Sequence, residues 1–140
     1  MKIKIERTDG APNGWVTVGT WRFDAPHNKG TLHLVVAKLP KWQYSLAVIG
    51  HELIESLYCW LFAITTKECD AFDLRCEKEF LLGARDPHSE PGFDSAAPYR
   101  IGHVMGSWWE RIVIHGTLAS WRKYDEECNR VMGISNSIKE

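Results

Sequence analysis

The stretch VIGHELIESLYCW, Val48 to Trp60, decides the helical part of this fold. From about Lys41 to Ile64 only Gly50 interrupts a run of good helix formers, so the sequence predicts a helix there. Its apolar residues occupy most of the circumference, which is typical of a buried helix. Charged groups on such a helix must be paired, protonated or bound to a metal, because an isolated buried charge is very costly.

Three polar residues of this stretch are the first candidates for a functional site. At about 100° per residue, His51 and Glu55 lie one above the other at i and i+4, and Glu52 lies within the same third of the circumference. We predict that His51 and Glu55 bind a metal and that Glu52 is the general base for a metal-bound water. The alternative is a buried structural network in which the glutamates pair with arginines, for which the sequence offers Arg75, Arg100 and Arg111.

Two later segments offer further metal-binding side chains on helical faces. In DAFDLRCE, Asp70, Asp73 and Glu77 share one face at i, i+3 and i+7, and His103 and Glu110 share another at i and i+7. We predict His103 and Glu110 as further ligands in a helical bundle. Asp70 or Asp73 is expected to add a ligand or to orient a histidine. This donor set suits a divalent cation, Zn²⁺, Mn²⁺ or Mg²⁺.

Composition and charge limit the classes of protein to which the chain can belong. Its 140 residues favour one domain, and a hydrophobic content of 44% with seven tryptophans argues against disorder. A net charge of -1 without a lysine- or arginine-dense segment argues against an extended nucleic-acid surface. We see no signal peptide, no membrane-spanning segment and no CxxC pair, and therefore expect a reduced, cytoplasmic, soluble protein.

The order of segments predicts an α+β fold in a single domain, residues 1–140. Alternating residues in Met1–Glu6 and the β-branched, aromatic runs WVTVGTWRF and TLHLVVAKL predict a short antiparallel sheet. This sheet occupies the β-rich part, residues 1–39. A helical part, residues 41–131, and a loose tail, residues 132–140, follow.

The helical part is expected to be a bundle of about three helices, of which the first carries HELIE. The capping box TTKE at Thr65 begins the second helix, and Gly83 ends it. A third, long helix is expected from about Ala97 to Val131, and Gly102, Gly106 and Gly116 are positions at which it could bend. The polar side chains of all three would then meet inside the bundle.

HELIE resembles the HExxH helix of zincin metallopeptidases, with Glu55 in place of the second histidine. A strand before the motif helix also suits zincins. The resemblance implies a metallopeptidase in which His51 and Glu55 bind Zn²⁺ and Glu52 is the general base. The third ligand would then be His103 or Glu110.

The four carboxylates resemble a different family. Glu52-x-x-Glu55 followed by Asp70-x-x-Asp73 is similar to the ExxE and ExxD signature of all-α nucleoside triphosphate pyrophosphohydrolases of the MazG type. That resemblance implies Mg²⁺ held by carboxylates and a nucleotide substrate. The N-terminal β segment and the histidines depart from that family's pattern.

A third resemblance covers most of the chain. The blocks WQYSLAVIGHELIES, CDAFD and EPGFDSAAPY, followed by His103 and Glu110, resemble a group of small, uncharacterised phage and prophage proteins. It implies one shared site or scaffold and a location in the host cell cytoplasm, but it names no activity.

Two classes of function are therefore open. The first is a metal-dependent hydrolase, for which the carboxylate count favours a nucleotide or other phosphate compound over a peptide. The second is a non-catalytic phage accessory protein that binds a host protein or a nucleotide signal, with Trp42, Trp108 and Trp109 as an aromatic contact surface. In either case a homodimer that buries helix faces is the expected assembly.

Overall fold

The most apolar strand of the chain is the centre of its sheet. The computed structural model describes residues 1–12, 16–86 and 88–134. Its strands are β1 (Lys2–Thr8), β2 (Gly19–Ala25) and β3 (Lys29–Ala37), in the order β1-β3-β2. β3 is apolar and buried at nearly every position from Leu32 to Ala37, which is typical of a strand covered on both sides. The predicted α+β class is confirmed by this sheet and the helices that follow it.

The sheet is mixed, so the prediction of a wholly antiparallel sheet was wrong in one pairing. β2 and β3 pair antiparallel, as expected, but β1 pairs parallel to β3. Because β3 takes the central position and β2 one side of it, only the opposite edge is left for β1. The connection from β1 to β2 therefore crosses the sheet, which makes β1 run in the direction of β3.

Four α-helices follow the sheet, rather than about three. They are α1 (Trp42–Leu61), α2 (Thr66–Leu81), α3 (Arg100–Gly116) and α4 (Trp121–Met132), with a 3₁₀ turn at Pro91–Phe93. The predicted third helix is divided into α3 and α4. Leu118 adopts a left-handed conformation with φ of 57°, and the Ser120 side chain accepts a hydrogen bond from the Lys123 backbone N–H. The break directly follows Gly116, where the sequence allowed a bend, but the linker itself contains neither glycine nor proline and no full stop of the helix was predicted.

The boundaries of α2 match the sequence prediction. Thr65 and Glu68 form a complete capping box at its start. Gly83 follows its last turn with φ of 73°, a conformation that glycine adopts without steric cost. α2 thus packs Cys69, Phe72 and Cys76 into the core.

α1 and α3 lie antiparallel and approach closely through glycines. A Cβ atom added at Gly50 would lie 1.8 Å from Trp109 Nε1, and one at Gly106 would lie 2.8 Å from His51 Cγ. The absence of side chains at these positions lets α3 come close to α1. This contact brings residues around 103 to 110 opposite His51.

Other features agree with the expectations from composition, as far as the structure describes the chain. The four cysteines are free and buried. No helix within the described residues is both long and apolar enough to cross a membrane. Of the predicted loose tail, Met132 still belongs to α4, and residues 135–140 lie outside the described residues.

Candidate metal centre

Two histidines and one glutamate form a cluster that could hold a metal ion. His51 and Glu55 come from α1 and His103 from α3. His51 Nε2 lies 3.4 Å from Glu55 Oε2 and 3.1 Å from His103 Nδ1, and His103 Nδ1 lies 2.9 Å from Glu55 Oε2. The three atoms therefore form a nearly equilateral triangle.

The size of this triangle matches the coordination sphere of a small divalent cation. Ligand atoms at about 2.0–2.1 Å from a tetrahedral metal are about 3.3 Å apart. For an octahedral metal at the same bond length the separation is about 2.9 Å. An ion could bind all three atoms with shifts of a few tenths of an ångström and keep positions free for water or substrate.

A carboxylate holds the other ring nitrogen of each histidine. Glu110 Oε1 contacts His51 Nδ1, and Tyr124 donates to Glu110 Oε2 at 2.6 Å. Glu90 Oε2 lies 3.2 Å from His103 Nε2. In protein metal sites, such carboxylates fix the tautomer and orientation of the ligating imidazole.

Glu55, the third residue of the triangle, is also held by a residue outside the triangle. The indole N–H of Trp21, a buried residue of β2, donates to Glu55 Oε1 at 2.9 Å. This leaves Oε2 of Glu55 directed at the two histidines. All three prospective ligands are thus positioned by groups that do not themselves belong to the triangle.

Without a metal, protons on the histidines balance the carboxylates. Burial lowers the pKa of His51, but its hydrogen bonds to Glu110 and Glu55 outweigh this and hold the pKa well above its usual range. For His103, burial again opposes the charge, and contacts with Glu55 and Glu90 raise the pKa to about 9. In this state His51 and His103 carry protons, and the same two imidazoles would bind a divalent cation.

The surroundings shift the pKa values of Glu52 and Glu55, the two glutamates of α1, in opposite directions. Burial disfavours the charge on Glu55, yet hydrogen bonds from both histidines lower its pKa to about 2. Burial raises the pKa of Glu52 to about 8, and repulsion from Glu55 adds to the effect. A neighbouring pair in which one carboxyl is ionised and the other protonated is typical of acid–base sites.

Glu52 lies against the sheet next to the triangle. A Cβ atom added at Gly19 of β2 would lie 2.8 Å from Glu52 Cγ and 2.9 Å from Oε1. Within the described part of the chain, no hydrogen-bond donor reaches the Glu52 carboxyl. Among the described residues, Glu52 is thus a buried glutamate with a raised pKa whose carboxyl is not held by a neighbouring donor.

The other predicted site residues take different places. Glu110 lies behind His51 rather than at a corner of the triangle. Asp73 accepts a hydrogen bond from Tyr99, and burial raises its pKa to about 6. Asp70 and Glu77 are exposed on α2, outside the cluster.

The structural alternative to a metal site required arginine partners for the glutamates. Arg75 instead lies over the ring of Phe72, and Arg111 lies over the ring of Trp121. Among the described residues, no arginine or lysine forms an ion pair with Glu52 or Glu55. In the described part of the chain, the buried charges on α1 are therefore balanced by the histidines and not by arginine or lysine side chains.

Sequence reasoning missed three residues that orient the cluster. Glu90 stands in the loop GARDPHSEPGFDS, where no periodicity assigns a face, and Phe93 from the same loop packs edge-on against His103. Trp21 belongs to a strand that the sequence did not connect to HELIE, and Tyr124 lies in the predicted third helix but was not among its candidate site residues. The only available signal was that a buried indole or phenol requires a partner for its polar group.

Comparisons of the chain with protein-family models, curated proteins and solved structures found no match.

Glu110 gives a test of the site that leaves the three triangle residues unchanged. We expect Glu110→Gln to lower metal affinity by about 10–100-fold, because the amide no longer fixes His51 as a carboxylate does. Glu127→Gln, which changes a half-buried carboxylate of α4 that pairs with Arg130 and lies outside the cluster, is the matched control and should keep wild-type affinity. Equal affinity of Glu110→Gln and wild type in a competition titration with a chromophoric chelator would contradict this role.

Proposed function

We propose that this protein is a metal-dependent hydrolase with its metal held by His51, Glu55 and His103. The observation that carries the proposal is that each of the three donors is oriented by a further group, Glu110, Trp21 and Glu90 respectively. Two histidines and one glutamate are also a ligand set of catalytic zinc sites, in which a fourth position stays open for water. Mn²⁺ and Fe²⁺ accept the same donors, whereas Mg²⁺ prefers an all-oxygen set.

Glu52 is the proposed general base. A bound Zn²⁺ supplies a Lewis acid that lowers the pKa of water and polarises a substrate carbonyl. Glu52 has no hydrogen-bond donor of its own among the described residues and a pKa raised by burial, so it suits the transfer of that proton near neutral pH. Glu55, whose charge the two histidines stabilise, is suited to remain a ligand.

The surroundings favour a neutral acyl substrate over a phosphate compound. Four carboxylates surround the histidines, namely Glu52, Glu55, Glu90 and Glu110. In the described part of the chain, no lysine or arginine makes an ion pair with any of them. Phosphoryl transfer depends on cations that neutralise the phosphate, and Arg85, which lines the cavity beside Glu90 and Phe93, is already paired with Glu79 and Asp94.

The position of β2 supports a peptide as that substrate. β2 is an edge strand that supplies both Gly19 and Trp21 to the site. Extended peptides bind exposed strand edges by adding a strand through main-chain hydrogen bonds. On the other side, Glu90 and Phe93 line a surface cavity of about 450 Å³ that adjoins His103 and could receive a side chain.

The experiment that tests the proposal combines metal analysis with two panels of substrates. We expect stoichiometric Zn, Mn or Fe by elemental mass spectrometry, and metal-dependent cleavage of a mixture of unstructured peptides but not of nucleoside triphosphates. Cleavage of nucleotides alone would replace the peptide substrate with a phosphate compound. Tight metal without hydrolysis of either panel would favour a non-catalytic accessory protein, and failure to bind any divalent metal would overturn the site itself.

The place of action follows from the chemistry of the chain and from one resemblance. Four buried free thiols suit a reducing compartment. The similarity of the HELIE, CDAFD and EPGFDSAAPY blocks to phage and prophage proteins suggests the cytoplasm of an infected host cell. The proposed activity is therefore that of a phage-encoded cytoplasmic hydrolase.

A further inference from the structure

The outer side of the α1–α3 pair carries two parallel stripes of apolar residues. On α3 the stripe follows a spacing of 4, 3 and 4 residues, which places its members on one helical face. The α3 members are Ile101, Met105, Trp108 and Ile112. The exposed α1 members are Trp42, Leu46, Leu57 and Trp60, and between them lie Ile49 and Leu53, which are half-buried and pack against the core. Because the helices are antiparallel and the stripes lie on the same side of their contact, we treat them as one surface, the outer face.

The exposed apolar area of this face is too large for an ordinary monomer surface. Trp42, Trp108 and Ile112 are 65%, 64% and 68% exposed. With about 250 Å² for a fully exposed tryptophan and about 190 Å² for the aliphatic residues, the face presents on the order of 900 Å². The largest apolar patch of a typical monomer is about 300–600 Å². A standard protein–protein interface buries about 800 Å² on each partner.

The outer face is also free of charge on α1. The acidic and basic residues of α1 are His51, Glu52 and Glu55, and all three are buried at the candidate metal centre. On α3, Arg100 and Arg111 flank the stripe, and His115, which stacks on Trp121, lies at its C-terminal end. Such a face can meet an identical face without like-charge repulsion, as a two-fold axis requires.

We propose that the outer face binds a second copy of this chain. α1 packs against the sheet, and within the described residues no element covers the outer face, although an apolar stripe of a helix is stable when it is buried against another element. Two copies related by a two-fold axis bury α1 and α3 of each in a four-helix arrangement between two sheets. The spacing of the α3 stripe is that of the seam in helical bundles.

The proposed dimer also has a consequence for the metal centre. All three triangle residues come from α1 and α3, the two helices whose opposite side forms the outer face. Packing that face in a dimer restrains both helices. The dimer therefore holds the ligand triangle in place without contributing a residue to it.

The test is the mass of the protein in solution. By sedimentation equilibrium between about 1 and 100 μM, we expect wild type at twice the chain mass of 16.0 kDa. Trp108→Glu places a charge in the centre of the face and should raise the dissociation constant at least about 100-fold. Leu82→Glu is the matched control, because Leu82 is 83% exposed at the end of α2, outside the face, and should leave the dimer unchanged.

Each other outcome counts against the proposal. A monomeric wild type at 100 μM overturns it, whether the face then binds lipid vesicles, another protein or nothing. A Trp108→Glu variant that stays dimeric with wild-type circular dichroism places the interface elsewhere. If Trp108→Glu does not fold, Ile112→Glu at the end of the stripe replaces it, and a dimeric Ile112→Glu overturns the proposal equally.

Discussion

Replacing Glu52 by glutamine should leave the metal bound and remove catalytic turnover, whereas replacing Glu55 by glutamine should release the metal. The two residues lie three positions apart on α1 and are equally buried, each 8% exposed. They therefore form a pair matched in residue type and burial, which differs in the direction and the partners of the side chain. Loss of a general base lowers the turnover number by about 10²–10⁴-fold, and loss of a ligand removes the site.

The variants Glu52→Gln and Glu55→Gln should also differ in the free energy of unfolding of the metal-free protein. Glutamine imitates the protonated form that burial favours in Glu52, so Glu52→Gln should keep or raise the free energy of unfolding. Glu55 is ionised between His51 and His103, and Glu55→Gln leaves their charges uncompensated. Removing one partner of a buried ionic cluster costs about 3–5 kcal/mol.

Three measurements decide this prediction: metal content, turnover number and chemical denaturation of the apo forms. An active Glu52→Gln enzyme would remove Glu52 from the role of base. A Glu55→Gln protein with wild-type metal content would remove Glu55 from the ligand set. Equal apo stability of the two variants would show that the opposite environments of the glutamates have no energetic consequence.

The stability of the metal-free protein should fall as the pH rises from about 6.5 to 9, and a bound metal should remove that fall. The raised pKa of about 9 for His103 means that its imidazolium stabilises the fold fully below the unfolded pKa near 6.5. That contribution is lost as the pH rises through 9 and amounts to about 3 kcal/mol at most. His51, whose pKa is also raised, acts in the same direction.

A bound metal removes the fall of stability with rising pH, because it binds the imidazoles in their unprotonated form. Its affinity therefore rises with pH until both histidines have lost their protons. The raised pKa of Glu52, about 8, weakens the metal-free form further, because its ionisation is disfavoured in the fold. The difference in melting temperature between zinc-loaded and chelator-treated protein should thus be larger at pH 9 than at pH 6.5.

Differential scanning calorimetry across this pH range, with and without zinc, measures the effect. His103→Asn should flatten the dependence of the metal-free form and abolish the zinc effect. His27→Asn, in the exposed turn between β2 and β3, is the control and should behave as wild type. A zinc-induced shift that does not change with pH would mean that the imidazoles are not the ligands.

The sequence by itself determined the elements whose causes are local. The helix around HELIE, the capping box at Thr65 and the stop at Gly83 follow from residues within a few positions of one another. The placement of His51 and Glu55 on one face is a consequence of 3.6 residues per turn. These features needed no knowledge of the rest of the chain.

Only the tertiary structure decided how the distant segments meet. His103 and Glu110 were equal candidates on one helical face, yet His103 reaches Glu55 across 48 positions and Glu110 lies behind His51 across 59. Their different places depend on the close approach of α3 to α1 at Gly50 and Gly106, which helical spacing does not specify. The parallel pairing of β1 and the contact of Glu90 with His103 were equally hidden, because each results from packing between segments. Gly116 allowed a bend in the third helix, but the left-handed conformation of Leu118 that ends it has no local signal of its own. Local periodicity fixes which side chains share a face, but the packing of the whole chain fixes which faces meet.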